Sequence, residues 1–183
     1  MKFLVPFLLL LFIQANLKSS APNILKEAGM QFSLADSSWQ PGTRQESGSM
    51  IVYSYKRKPI TDSLNRGIVA NVSVLIENIE KGLDVISWSS ERRKQVPFQV
   101  TKVLTKKKGN LSAYQAIGYE GLYVDSKKIS HRILMVYAIH QSKGVQMICD
   151  ATDSVWPKVE PEFRSAIKSL QAVSGKKTGK KKQ

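Results

Sequence analysis

Apolar and polar residues alternate along most of this chain. In the segment from Met50 to Lys56, Ile51, Tyr53 and Tyr55 fall on one side and Met50 and Val52 on the other. From Gly67 to Ile76, Ile68, Ala70, Val72, Val74 and Ile76 alternate with Val69, Asn71, Ser73 and Leu75. A period of two marks a strand with at least one buried face. Gln31 to Leu34 is a shorter run of the same kind, followed by Trp39 and by Gln40-Pro41-Gly42, which reads as a turn. Four more strands are predicted over residues 98–104, 113–124, 129–140 and 145–151. The sequences between them, Lys107-Lys108-Gly109-Asn110, Asp125-Ser126-Lys127 and Ser142-Lys143-Gly144, are short enough for antiparallel hairpins.

Two segments have the other period. Between Gly82 and Gln95, Leu83, Val85, Ile86 and Trp88 form one stripe and Arg92, Arg93 and Lys94 stand in the last turn, where the helix dipole favours cations. Pro97 ends that helix. The last element is the stronger helix: Val155, Val159, Phe163, Ala166, Ile167 and Leu170 recur at steps of three and four, Pro157 is tolerated in the first turn, and Ser154 or Asp153 is placed to cap it. Strands, a helix, a run of antiparallel strands and a terminal helix, with no internal repeat, describe an α+β protein rather than a parallel doubly wound sheet.

The ends differ from the middle. Met1-Lys2-Phe3, an apolar run over residues 4–13 and then small residues including Ala15 and Ala21 follow the order of a secretory signal peptide, and the run is too short to span a bilayer. Cleavage after Ala15 is preferred to cleavage after Ala21, which Pro22 follows. Beyond Ser174 the chain has no apolar residue to bury and carries Lys176, Lys177, Lys180, Lys181 and Lys182, a disordered basic tail by composition. The expected plan is a signal peptide at 1–21, a linker at 22–30, one domain at 31–172 and the tail at 173–183. A chain of 183 residues that is 42% hydrophobic and 23% charged has material for one packed domain and not for two. Cys149 is the single cysteine, which excludes an internal disulfide, and no cysteine near the leader could carry a lipid anchor.

Phe32-Ser33-Leu34 followed by Trp39, the mid-chain helix, Leu111-Ser-Ala-Tyr-Gln-Ala116, the turn before Val145-Gln-Met-Ile-Cys-Asp-Ala151 and the final Phe163-x-x-x-Ile167-x-x-Leu170 helix together resemble the PsbP/DcrB-like domain, over about residues 31–170. The resemblance implies a curved antiparallel sheet covered by helices on both sides, an α/β/α sandwich. It also implies membership of a mostly non-catalytic group of accessory and binding proteins: extrinsic photosystem II subunits, periplasmic or lipid-anchored bacterial proteins and a relative that binds the small GTPase Ran. This chain lacks the anchor cysteine of the lipid-anchored members and the plastid-targeting extension of the photosystem subunit, so neither of those roles carries over.

Residues suited to catalysis are sparse. His131 and His140 are nine apart on one predicted strand, hence on opposite faces and ~30 Å apart, too far to share an ion. Cys149 alternates with Val145 and Met147 as an inert core thiol would, and Asp150 and Asp153 read as turn and capping groups. Neither a Walker loop nor G-x-G-x-x-G occurs, and no catalytic, cofactor-binding or metal-ligating residue is assigned.

Charge changes the picture most. The formal net charge is +14, and setting aside Lys2 and the five tail lysines still leaves +8. Lys56-Arg57-Lys58, Arg92-Arg93-Lys94, Lys106-Lys107-Lys108 and Lys127-Lys128 form clusters suited to lipid headgroups, acidic polysaccharide or an acidic protein. Tyr53 and Tyr55 beside Lys56 and Arg57 are the one interleaving of aromatics with cations, so base stacking has little support and export argues further against nucleic acid. The expectation is a secreted or periplasmic non-enzymatic accessory protein that is not a lipoprotein, whose first three clusters and tail engage an anionic surface or acidic protein of the cell envelope. The plain alternative is a surface charged for solubility. A second functional reading is a small-ligand or hydrolytic protein with a pocket between sheet and helix lined by Tyr119, Tyr137 and His140.

Overall fold

A computed structural model describes residues 21–173; residues 1–20 of the expected signal peptide and residues 174–183 of the expected tail lie outside the described residues. Among the described residues are twelve strands and two α-helices: β1 Asn23–Leu25, β2 Met30–Phe32, β3 Trp39–Ser47, β4 Met50–Arg57, β5 Ile60–Thr61, β6 Gly67–Ile68, β7 Asn71–Asn78, α1 Val85–Arg93, β8 Gln99–Thr105, β9 Ala116–Val124, β10 Ser130–His140, β11 Lys143–Thr152, α2 Trp156–Ser169 and β12 Gln171–Ala172. Seven strands make one antiparallel sheet in the order β3-β4-β7-β11-β10-β9-β8, with a small β1-β2-β12 sheet and the β5-β6 pair beside it.

This corrects the expected α/β/α sandwich. The chain is mostly β, and neither face of the large sheet carries a helical layer. α2 shares its face with the small sheet: Val159, Phe163 and Ile167 meet Leu25, Phe32 and Leu34 together with Val72, Val74, Val136, Met147 and Cys149. On the opposite face α1 lies mainly over β9 and β10, packing Trp88 on Tyr119, Met135 and Tyr137, with Trp88 and Arg92 also bonded to Glu77 of β7. Nine residues make a helix of only ~14 Å, which cannot cover seven strands spaced ~4.8 Å apart. Met50, Val52, Leu75 and Ile148 on the uncovered part are half-buried.

Two glycines allow this close packing. A Cβ on Gly144 would stand 2.5 Å from Cζ2 of Trp88, and one on Gly121 would stand 2.4 Å from both the Gln99 carbonyl oxygen and the Phe98 ring.

Other expectations fail for local reasons. Residues 22–30 are not a linker: Leu25, Ala28 and Met30 are buried and β1 pairs with β2. Gln40-Pro41-Gly42 lies inside β3, an edge strand, where a proline costs no ladder bond and the register shifts between Pro41 and Arg44. The run from Gly67 to Ile76 is broken into β6 and β7. The stripe expected on α1 is only half realised: Trp88 is buried and Val85 packs beside it, while Ile86 is 63% exposed and Leu83, which precedes the helix, 37%, because Ser89 rather than these two completes the buried face. Val155 takes the N-cap of α2 without a side-chain bond, while Asp153 pairs with Arg132 and Ser154 with the Thr152 hydroxyl.

α1 owes its start to Asp84, whose carboxylate accepts from the N–H groups of Ile86 and Ser87 at 2.8 and 3.0 Å and from the Ser87 hydroxyl. A nine-residue helix is marginal without such a cap. Asp84→Ala is therefore expected to lower Tm by a few degrees and to speed amide exchange in α1 while leaving β10 and β11 protected, as hydrogen exchange would show.

Candidate functional site

The cations divide by type. Six of the seven arginines pair with carboxylates: Arg44 with Glu27 and Glu46, Arg57 with Glu162, Arg66 with Asp62, Arg92 with Glu77, Arg132 with Asp153, and Arg164 with Glu120 and Glu160. The seventh, Arg93, lies over the Tyr119 ring with its guanidinium carbon 4.9 Å from the centroid. Among the described residues the lysines have one ion pair, Lys94 with Glu91 at 3.0 Å, and all but Lys143 are exposed. A guanidinium fork suits fixed, partly buried pairs, whereas an ammonium on a flexible stem stays hydrated.

The acids are committed to the same internal work. Glu162 accepts from the Trp39 indole at 2.7 Å and from two Arg57 nitrogens, tying α2 to β3 and β4. Asp62 takes the Arg66 guanidinium and the N–H groups of Leu64 and Arg66, and these bonds, the Arg66 side chain first, hold its carboxyl below the usual range. The Arg44 guanidinium and Tyr53 hydroxyl both donate to Glu27. The excess positive charge therefore rests on lysines.

The three expected clusters do not merge. Lys56 heads a row across the sheet, Lys56–Asn71–Asp150–Ile133–Gly121, whereas Lys106-Lys107-Lys108 follows Thr105, which pairs with Ile117 toward the other end of the strands. Five strand spacings, about 24 Å, also separate β4 from β8. Within the first cluster Lys56 and Lys58 are exposed while Arg57 is paired with Glu162. Within the second Arg92 and Lys94 are paired and Arg93 is stacked. Lys106, Lys107 and Lys108 are all exposed. Lys176, Lys177, Lys180, Lys181 and Lys182 lie outside the described residues.

The expected pocket lining is also dispersed. Tyr137 is fully buried, with the Trp88 ring against it at 5.3 Å, and the Tyr119 and Ser89 hydroxyls are 3.1 Å apart beneath α1. His140 is on the other face, against Gly29. The space beside α1 is instead a cleft of about 180 Å³ lined by Met50, Leu75, Glu77, Trp88, Arg92 and Gln146 among others. Cys149 is completely buried, and burial pushes its thiol up, with the Asp150 charge adding to the rise.

One constellation escaped the sequence reading. His131 Nδ1 is 2.8 Å from Asp150 Oδ1, Tyr123 donates its hydroxyl to the other oxygen of Asp150, and the Tyr123 and His131 rings stack at 4.8 Å. His131 Nε2 faces Asp125 Oδ2 at 3.6 Å. Tyr123 and His131 of this group line a cavity of about 380 Å³, together with Gln99, Ser130 and Asp153 among others. Tyr123 lies opposite His131, and Asp150 is a diagonal neighbour because Ile133 pairs with it while His131 pairs with Thr152. The short turns joining β9, β10 and β11 could have revealed this register, had each hairpin been closed residue by residue. Among the described residues no group of three or more His, Cys, Asp or Glu is placed to hold a metal ion, and no helix is long and apolar enough to cross a membrane.

No family model matches the chain, and no curated protein matches it significantly. Among solved structures it is similar to PA94, a protein of unknown function from Pseudomonas aeruginosa, with a TM-score of 0.48 and 12% identity over 79% of this chain and 90% of that one. It is similar also to LpqN of Mycobacterium tuberculosis, described as involved in cell envelope biogenesis, with a TM-score of 0.47 and 18% identity over 82% of this chain and 88% of that one. Scores below 0.5 at such identities leave both as loose likenesses of shape, which fix neither family nor activity.

Proposed function

We propose that this is an exported, non-enzymatic binding protein whose lysines engage an anionic surface of the cell envelope. The division of the cations carries the reading: arginines neutralise the protein's own carboxylates, and exposed lysines are left uncompensated at both ends of the sheet. A dispersed set of hydrated ammonium groups suits a surface of many weak anionic sites better than one shaped ligand, since each lysine near an anionic membrane contributes ~1 kcal/mol within a Debye length of it. The pocket alternative has less support, because Tyr119 and Tyr137 are sealed under Trp88 and His140 is on the opposite face.

The test is cosedimentation with phosphatidylglycerol-containing and pure phosphatidylcholine vesicles across a salt series. Binding to the anionic vesicles alone is expected, weakening with salt and falling at least ~10-fold when residues 175–183 are deleted, because five lysines leave with them. Replacing Lys106, Lys107 and Lys108 by glutamine should weaken it further. Equal binding to neutral vesicles, or none to either, would overturn the membrane version, and acidic polysaccharide or an acidic protein would be the next surface tried.

A further inference from the structure

We propose that His131 Nε2 and Asp125 Oδ2 bind a divalent first-row transition ion, with Asp150 holding the imidazole from behind. Three contacts prepare the histidine. Asp150 Oδ1 engages Nδ1 at 2.8 Å, which leaves Nε2 as the available nitrogen, and the stacked Tyr123 ring, itself tied to Asp150, fixes the plane of the imidazole. A carboxylate on the far nitrogen is the usual outer partner of a metal-bound histidine, orienting the ring and raising its basicity.

Asp125 is prepared as well. Its Oδ1 accepts from the N–H groups of Lys127 and Ile129 at 2.9 and 2.8 Å, which locks the carboxylate in the β9–β10 turn and turns Oδ2 toward the histidine.

The gap between the two groups is the informative distance. At 3.6 Å, His131 Nε2 and Asp125 Oδ2 are too far apart for a good hydrogen bond. Metal–ligand bonds of ~2.0–2.2 Å meeting at the angles of four-coordinate zinc place their two donor atoms ~3.3–3.6 Å apart. The side chains are 17% and 28% exposed, so water can reach the gap between them to complete the shell, and His131 also borders a cavity of about 380 Å³. Two protein ligands, with the exposed Lys127 and Lys128 next in the turn, set the affinity in the micromolar class rather than that of a structural zinc site.

Zinc chloride titrated into the full chain by calorimetry in a non-chelating buffer near neutral pH tests this, with long-range proton–nitrogen spectra of the imidazoles as a second readout. One saturable site is expected, with the His131 Nε2 resonance moving and those of His140 unmoved. His131→Gln and Asp125→Asn should each weaken binding at least ~10-fold, and Asp150→Asn, which removes no ligand atom, by roughly 10-fold. If His131→Gln fails to fold, Asp125→Asn decides the matter alone, since asparagine keeps the oxygen that the turn needs. No saturable binding to the wild type, or unchanged affinity in the Asp125 variant, would overturn the proposal.

Discussion

Stability is expected to fall steeply once the pH passes about 10, because two tyrosines are buried as neutral phenols. Tyr55 is 7% exposed and meets the Phe32 ring edge-on at 5.4 Å, and Tyr137 is wholly enclosed. Burial pushes both phenols from 10.0 up to about 12, with the charges of Tyr53 and Tyr119 as the next causes. Between those values the unfolded chain has lost the protons that the folded chain retains, so the unfolded state binds fewer and stability must decline as pH rises. Two pK units correspond to ~3 kcal/mol per tyrosine, and the pair approaches the whole stability of an ordinary domain. The raised Cys149 thiol starts the decline earlier, near the ordinary range of a cysteine, and Tyr123, raised by burial and by its bond to Asp150, adds to it.

Urea midpoints at pH values from about 8 to 11 measure this decline. Tyr55→Phe should flatten the part of the curve above pH ~10 by about a quarter, since Tyr137, Tyr123 and Cys149 keep their share, while Cys149→Ala should shift its onset upward. Tyr137→Phe is a less clean test, because the Tyr137 hydroxyl also accepts from the Gln146 amide at 3.2 Å. A midpoint constant up to pH ~11 would show that these phenols are not held neutral.

The strands were legible where both of their faces have a defined fate. In β7, Val72, Val74 and Ile76 are fully enclosed while Asn71, Ser73 and Leu75 are only half-buried, so alternation gave both the strand and the inward face. β10 was legible instead as a continuous apolar run between two turns, since both of its faces are buried from Ile133 to Ala138. Reading failed where the burying partner is distant in sequence. Leu25, Ala28 and Met30 look like part of a short linker until β12, about 140 residues on, pairs with Met30 and Gln31. In β3 every residue after Trp39 is exposed, Pro41 included, so no pattern distinguishes strand from turn. The helical cover was overestimated because a periodic sequence reveals that a helix exists, not how many strands it spans.

The candidate sites show the same limit. Clusters of adjacent cations are visible in sequence, but their partners are not. Arg57 and Arg92 were counted as free binding groups, yet Glu162 and Glu77 hold them from 105 and 15 residues away. For a shared ion, sequence spacing offers His131 only His140, the other member of its own residue type. Its real neighbours, Tyr123 and Asp150, come from the two adjoining strands, and strand register rather than sequence spacing brings them together.

Phe163→Ala should be the costliest single truncation in α2, at ~3–5 kcal/mol. The ring is fully buried between Trp39 at 5.7 Å and Trp156 at 5.6 Å. The neighbouring Glu162 holds the Trp39 indole and Arg57, so a loosened α2 would also weaken its tie to β3 and β4. Urea unfolding followed by tryptophan fluorescence should show a lower midpoint at an unchanged m-value, and Phe163→Leu should recover part of the loss. A cost below ~1 kcal/mol would mean that the site collapses freely and that α2 is not a principal part of the core. The same variant separates stability from binding. Its exposed lysines are untouched, so under conditions where it remains folded its affinity for anionic vesicles should match the wild type; a large loss there would place the binding determinant on the α2 face and not on the dispersed ammonium groups.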